Sequence, residues 1–196
     1  MTIFGIIRHG VTDWNQQGRA QGQEDVPLNI DGIRQAELLG NRFSQESWDY
    51  IYSSDLSRAS ATAEKIAGAL NMKITGFDPR LREKTHGRLD GTTVEERIAL
   101  WGENWKDLDH NEESDEHMLV RSLSLLNELK ERHPQSRVLL ISHGAWIRSL
   151  LAELFKEMEI TFLNNTCVTV IQNQEDPANE WKCLLFNCTK HLQEVN

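Results

Sequence analysis

The stretch Val138-Leu139-Leu140-Ile141-Ser142-His143-Gly144 decides how the rest of the chain reads. Four apolar residues in succession make a strand buried on both faces. They run straight into a serine, an imidazole and a glycine. Ile3-Phe4-Gly5-Ile6-Ile7 repeats the pattern and leads into Arg8-His9-Gly10. A third run, Tyr50-Ile51-Tyr52, leads into Ser53-Ser54-Asp55-Leu56-Ser57-Arg58. Amphipathic stretches lie between the runs. From Asp31, a candidate N-cap, Ile33, Ala36, Leu39 and Phe43 recur on one helical face. From Asp55, another candidate cap, Leu56, Ala59, Ala63, Ile66, Ala67 and Leu70 do the same.

Thr92 and Glu95 have capping-box spacing and open a third helix, with the stripe Val94, Ile98, Trp101, Trp105 and Leu108. A fourth helix carries Leu119, Leu123, Leu126 and Leu129 and stops before His133-Pro134. Ala145 to Phe155 forms a fifth. Two β-rich segments follow, Thr166 to Ile171 and Trp181 to Phe186, joined as a hairpin by the polar loop Asn173 to Glu180 with Pro177. This alternation predicts an α/β fold, a three-layer sandwich whose mostly parallel central sheet has helices on both faces.

Ligands of such sheets bind beyond the carboxyl ends of the strands. Two histidines and two arginines could therefore meet at one edge. Gly10 and Gly144 would permit tight turns and close approach of the backbone to a ligand. Arg58 falls in the first helical turn, where the helix dipole disfavours a cation. Holding a phosphate together with the free N–H groups of that turn would explain it.

Composition narrows the class. The 196 residues carry 21 Lys+Arg against 30 Asp+Glu, a formal net charge of −9. That length fits one domain, 1–196. The acidic balance argues against nucleic-acid or anionic-membrane partners. No stretch is apolar enough for a membrane span or a signal peptide, so the expected location is cytoplasmic. Cys167, Cys183 and Cys188, without a Cys-x-x-Cys pair, read as free thiols and not as a zinc site or disulfide framework. Nothing in the sequence fixes an oligomeric state.

The motifs resemble those of the histidine phosphatase superfamily, also called phosphoglycerate mutase-like, over nearly the whole chain. Arg8-His9-Gly10-Val11-Thr12-Asp13-Trp14-Asn15 is similar to the family's opening motif, with Gly18-Arg19-Ala20-Gln21-Gly22 and Asp25-Val26-Pro27-Leu28-Asn29 following it. Gly32-Ile33-Arg34-Gln35-Ala36 also fits. Ser53 to Ala59 with Thr62-Ala63 resembles the second motif, Leu81-Arg82-Glu83 the third and Ser142-His143-Gly144 the fourth; the tail with His191-Leu192 fits too. The resemblance implies a histidine acid phosphatase-type monoester hydrolase. His9 would be the nucleophile, forming a phosphohistidine. Arg8, Arg58 and His143 would cradle the phosphoryl oxygens. Glu83 would protonate the leaving alkoxide and then activate water. Asn15, Gln21 and backbone at Gly10, Gly22 and Gly144 would add substrate contacts. No metal or cofactor is required, and the substrate would be a small phosphorylated metabolite.

Between Gly91 and Ser114 the acidic residues Glu103, Asp107, Asp109, Glu112 and Glu113 face only Arg97 and Lys106. The family's mutases carry a longer, basic insertion there. An acidic lid-like segment, around 85–116, is expected to repel a second phosphate, which favours a phosphatase over a phosphoglycerate mutase or a non-catalytic phosphate-binding protein. The leaving group would be neutral or apolar, bordered by Trp14, Trp101 or Trp105. His110, Glu112, Glu113, Asp115, Glu116 and His117 form an alternative cation cluster, read as exposed charges. Two positions depart from the family pattern. His86 stands where an aromatic residue is frequent; it reads either as a third imidazole lining the pocket or as a structural replacement, the second being favoured. Glu112-Glu113-Ser114 lacks the glycine of a frequent Gly-Glu-Ser motif.

Overall fold

The computed structural model describes residues 1–160, 162–175 and 180–193. Its strands are β1 (Ile3–Arg8), β2 (Tyr50–Ser53), β3 (Gly76–Phe77), β4 (Arg137–Ser142), β5 (Val168–Asn173) and β6 (Trp181–Cys188). They form a six-stranded sheet in the order β3-β2-β4-β1-β5-β6. β1 to β4 pair in parallel, while β5 runs antiparallel to both β1 and β6. The expected hairpin of the last two strands is present; its residues 176–179, with Pro177, lie outside the described residues. The helices are α1 (Asp13–Gln16), α2 (Ile30–Phe43), α3 (Ser57–Leu70), α4 (Val94–Trp101), α5 (Asp115–Arg132) and α6 (Gly144–Leu154).

Strand alternation divides the core in two. Phe4, Ile6, Val138 and Leu140 point to one face, where Leu125, Leu126 and Leu129 of α5 pack with Trp146, Ile147 and Leu150 of α6. Ile7, Ile51, Leu139 and Ile141 point to the other, against Leu39 and Phe43 of α2 and Ala59, Ala63 and Ile66 of α3. The result is the three-layer α/β sandwich. Each face excludes water from a layer of side chains, and that burial is the main force holding helices to sheet.

Several helix starts differ from the sequence reading. Asn29, not Asp31, caps α2 and accepts from the Gly32 N–H at 2.9 Å. Leu56 occupies the α3 cap position without a side-chain bond. The Asp55 carboxylate pairs instead with Arg82, and Asp25 reaches across to accept from the Ser57 N–H at 2.7 Å. The capping box of α4 is Thr93 with Glu96, one residue later than expected, because the Thr92 hydroxyl donates to the Leu89 carbonyl. Gly102, at φ 80°, ends α4 after Trp101, so the expected stripe does not continue to Leu108, which is exposed. On α5 the inward residues are Met118, Ser122, Leu125, Leu126 and Leu129; Leu119 and Leu123 lie at its margin.

Gly32 lets α2 approach the turn after β1. A Cβ there would lie 2.1 Å from the Val11 carbonyl oxygen. Gly68, in α3, has open space around the same position. In urea unfolding, Gly32→Ala should lower stability by about 1–3 kcal/mol. Gly68→Ala should raise it by roughly 0.5–1 kcal/mol, the helix-propensity difference. Equal effects would mean that the close approach does not constrain the fold.

Candidate active site

Sheet register brings the polar strand ends together. Arg8 at the end of β1 pairs with Ser142 at the end of β4, and Ser53 of β2 pairs with Ile141 of β4. The next residues are His9, His143 and Ser54. The His9 N–H donates to the Ser142 carbonyl at 3.0 Å, and the two imidazoles lie 5.1 Å apart, centre to centre. Both are buried.

His9 Nδ1 lies 2.7 Å from the Gly10 carbonyl, which can only accept, so Nδ1 carries the proton and Nε2 keeps its lone pair. Burial first, then the charges of Arg58 and Arg8, hold the His9 pKa well below the ordinary histidine value. His143 is depressed likewise, by burial and then by Arg58, and its Nε2 meets the Ser54 hydroxyl at 2.9 Å. Two neutral imidazoles thus sit beside two guanidiniums.

Arg58 is 0% exposed. It donates to the carbonyls of Gly22 and Glu24, each at 2.7 Å. Burial lowers its pKa to about 10, with Glu83 and Asp25 opposing, so it stays protonated at neutral pH. Arg8 donates to the Leu163 carbonyl. Arg8 Nε, Arg58 Nε and His143 Nδ1 are buried without a hydrogen-bond partner among the described residues. A buried donor left unpaired costs about 1–3 kcal/mol, so such groups are expected where an anion completes them.

Glu83 stands at the start of α6. Its carboxylate accepts from the N–H groups of Ala145 and Trp146, both at 3.1 Å, and of Lys84 at 2.9 Å. Glu83 shares a cavity of about 230 Å³ with Arg8, His86, Gly144, Arg148 and Phe162. A larger groove, about 680 Å³, continues past His86 and Arg148 between α5 and α6.

The expected binding residues are less uniform. Asn15 Oδ1 caps α1 by accepting from Thr12 and takes a further bond from Asn165 at 3.2 Å. Gln21 is buried, its Oε1 accepting from the Thr12 hydroxyl at 3.0 Å. Gly22 has φ 49°, and a Cβ there would strike the Asp90 carboxylate. The Gly10 N–H donates to Thr62 Oγ1 at 3.0 Å, and its α-carbon faces the Gly32 carbonyl. Gly10 therefore admits protein backbone, where the sequence suggested a ligand. At Gly144 the near neighbour is the Arg8 guanidinium.

The tryptophans do not border the cavity. Trp105 is buried against His110 and the Arg97 guanidinium, and Trp14 lies over Gly91. His86, expected to be structural, lines both cavities. Apart from Glu116, the members of the alternative cation cluster are individually occupied, Asp115 by Lys84. His110 Nε2 meets the Trp105 carbonyl, Glu112 faces Lys84 and His86, and Glu113 pairs with Arg121 and His117. No three of the described His, Cys, Asp and Glu residues converge as metal ligands. The altered Gly-Glu-Ser motif needs no glycine at Glu112, because the chain takes its left-handed turn at Asn111, φ 58°.

Sequence reasoning gave no role to Asn165, Thr166, Arg121 or Arg148. The Asn165 amide donates to the His9 carbonyl at 3.0 Å, and the Thr166 N–H donates to the Arg8 carbonyl at 3.0 Å. The available signal was antiparallel pairing. A strand entering the sheet in reverse delivers the residues before it to the edge where the parallel strands end.

Residues 4–189 match the model of the histidine phosphatase superfamily (branch 1). The chain belongs to that superfamily. It is 35% identical over 195 residues to the uncharacterized phosphatase PhoE of Bacillus subtilis, covering 98% of this chain and 97% of that protein. It is 34% identical over 201 residues to phosphoserine phosphatase 1 of Hydrogenobacter thermophilus, covering 96% and 93%. The solved structure of Bacillus stearothermophilus YhfR superposes with a TM-score of 0.86 at 26% identity, covering 98% of this chain and all of that one. Relatives named as phosphoglycerate mutase-like or probable mutases also match. Among the described residues, no helix is long and apolar enough to cross a membrane.

The histidines make a pH prediction. Burial lowers the pKa of His9, His143, His133 and His191, the last to about 4. Below about pH 6.5 the unfolded chain takes up protons that the folded one refuses, so stability present above that pH is lost as pH falls. Asp90, raised to about 6 chiefly by burial, acts in the opposite direction but is one group against four. Urea unfolding at pH 7.5, 6.5 and 5.5 should show falling stability, with an upper bound of about 1.4 kcal/mol per pH unit for each histidine. A flat profile would contradict the neutral buried imidazoles.

Proposed function

We propose that this chain is a metal-independent phosphomonoesterase that acts through a phosphohistidine on a small phosphorylated metabolite. The observation that carries the reading is the state of His9. It is neutral, its Nδ1 proton is fixed on the Gly10 carbonyl, and it lies among buried guanidiniums with unpaired Nε–H groups.

In the first step His9 Nε2 attacks phosphorus and the ester P–O bond breaks in line with it. Arg8, Arg58 and His143 meet the charge on the equatorial oxygens. Prearranged donors of this kind are each worth about 3–4 kcal/mol in a water-poor site. Glu83 gives a proton to the departing alkoxide. In the second step water attacks phosphorus, its proton passes to Glu83, and the P–N bond returns its electron pair to His9.

The reading also extends to the leaving group. In the segment 103–113, Glu113 is held by Arg121, while Glu112, which lines the larger groove, faces Lys84 and His86. Arg148 lines both cavities and has no ion-pair or hydrogen-bond partner among the described residues. A free cation at the mouth favours an alcohol that carries its own anionic group, such as the carboxylate of phosphoserine, the compound in the name of one relative. This reading differs from the neutral or apolar leaving group expected from the sequence.

Phosphate release from 4-nitrophenyl phosphate should persist in EDTA and be abolished by His9→Ala. Release without dependence on His9 would end the proposal, and interconversion of phosphoglycerates faster than phosphate release would favour a mutase. Arg148→Ala should raise KM for phosphoserine by roughly tenfold or more, the scale of one lost charge-assisted contact, with little change for 4-nitrophenyl phosphate. An unchanged KM for phosphoserine would remove Arg148 from the substrate site.

A further inference from the structure

Arg121 of α5 uses all five of its N–H donors inside the protein. Nη1 donates to the carbonyls of Arg80 at 2.8 Å and Arg82 at 2.7 Å. Nη2 donates to the Glu83 carbonyl at 3.2 Å and to Glu113 Oε2 at 2.8 Å. Nε donates to Glu113 Oε1, also at 2.8 Å. The pair is shielded from water, with side-chain exposures of 13% for Arg121 and 6% for Glu113. The Glu113 N–H also donates to the Thr85 carbonyl at 2.9 Å.

We propose that Arg121, oriented by Glu113, is the positioning residue for Glu83. The inference rests on the proposed role of Glu83 as proton donor. The guanidinium gathers three carbonyls of the segment 80–83 onto one side, while the Glu83 carboxylate is fixed at the other end by the first turn of α6. The segment is thus held from its main chain and from its side chain. Proton transfer to a leaving oxygen requires that carboxyl within hydrogen-bond reach, and a displacement of about 1 Å can cost two orders of magnitude in rate. A planar fork with five fixed donors can bridge three carbonyls and a carboxylate; an ammonium with three donors cannot.

The experiment is a comparison of leaving groups in Arg121→Lys, Glu113→Gln and Glu83→Gln. Glycerol 2-phosphate supplies a leaving group that needs a proton, and 4-nitrophenyl phosphate one that hardly does. Arg121→Lys should reduce kcat for glycerol 2-phosphate by roughly 10–100-fold and for 4-nitrophenyl phosphate by less than about threefold. Glu113→Gln should follow the same pattern more weakly. Added to Glu83→Gln, Arg121→Lys should produce no further loss, because both changes remove one function. Circular dichroism and the urea midpoint establish that each variant is folded; if Arg121→Lys does not fold, Glu113→Gln carries the comparison, alone and with Glu83→Gln. Selective loss in Glu83→Gln with uniform loss in Arg121→Lys, or additive losses in the double variant, would overturn the positioning role alone. Uniform loss in Glu83→Gln would overturn the proton-donor reading beneath it.

Discussion

A guanidinium withdrawn from water must be met by acceptors, and Arg58 imposes this requirement at full burial. Its partners are the carbonyls of Gly22 and Glu24, so the loop after α1 must fold back over the start of α3. That fold needs the left-handed turn at Gly22 and leaves no room for a side chain beside Asp90. It also brings Asp25 to the first N–H of α3, a cap that no local residue provides. Thr62, one turn further along the helix, ties the Arg58 carbonyl to the Gly10 N–H. Arg8 makes a similar demand on the chain before β5, through the Leu163 carbonyl. The buried Arg58 and the half-buried Arg8 thereby assemble the loops around His9.

Burial first, and then those same charges, make an imidazolium unfavourable, so His9 is held as a free base. The net charge of −9 is no guide to the field at this edge. Of the acids in the segment after Gly91, Glu112 and Glu113 are engaged by Lys84, Arg121 and two histidines, while Glu103, Asp107 and Asp109 have no ion-pair partner among the described residues. The number of acids alone does not describe the field there; what matters also is where each carboxylate finds its partner.

The sheet and the strand-end residues were legible because continuous apolar runs are bounded abruptly by Arg-His-Gly and Ser-His-Gly, and only a buried parallel strand explains such runs economically. Helix starts were less so. Asp25, Asp31 and Asp55 are equally good caps by residue type, and tertiary demands decide between them: Asp55 is taken by Arg82, while Asp25 is delivered by the loop around Arg58. The two-residue β3 has no periodicity to read. The tryptophan stripe misled because a single glycine in a left-handed conformation, Gly102, ends α4 before the second half of the pattern. Arg121 and Glu113 are eight positions apart, one on α5 and the other in the loop before it, and only the position of the 80–83 segment beside them reveals their use.

The reversed direction of β5 has a consequence for how the molecule is made. β1 precedes the other five strands along the chain, yet it lies inside the sheet, between β4 at 137–142 and β5 at 168–173. Its exposed edges must wait until most of the chain exists, and His9 receives its last main-chain partners only with Asn165 and Thr166. Non-local pairing of this kind delays folding and lengthens exposure of apolar strands. The residue at the centre of the chemistry thus waits for a partner 156 residues further along the chain before it is enclosed.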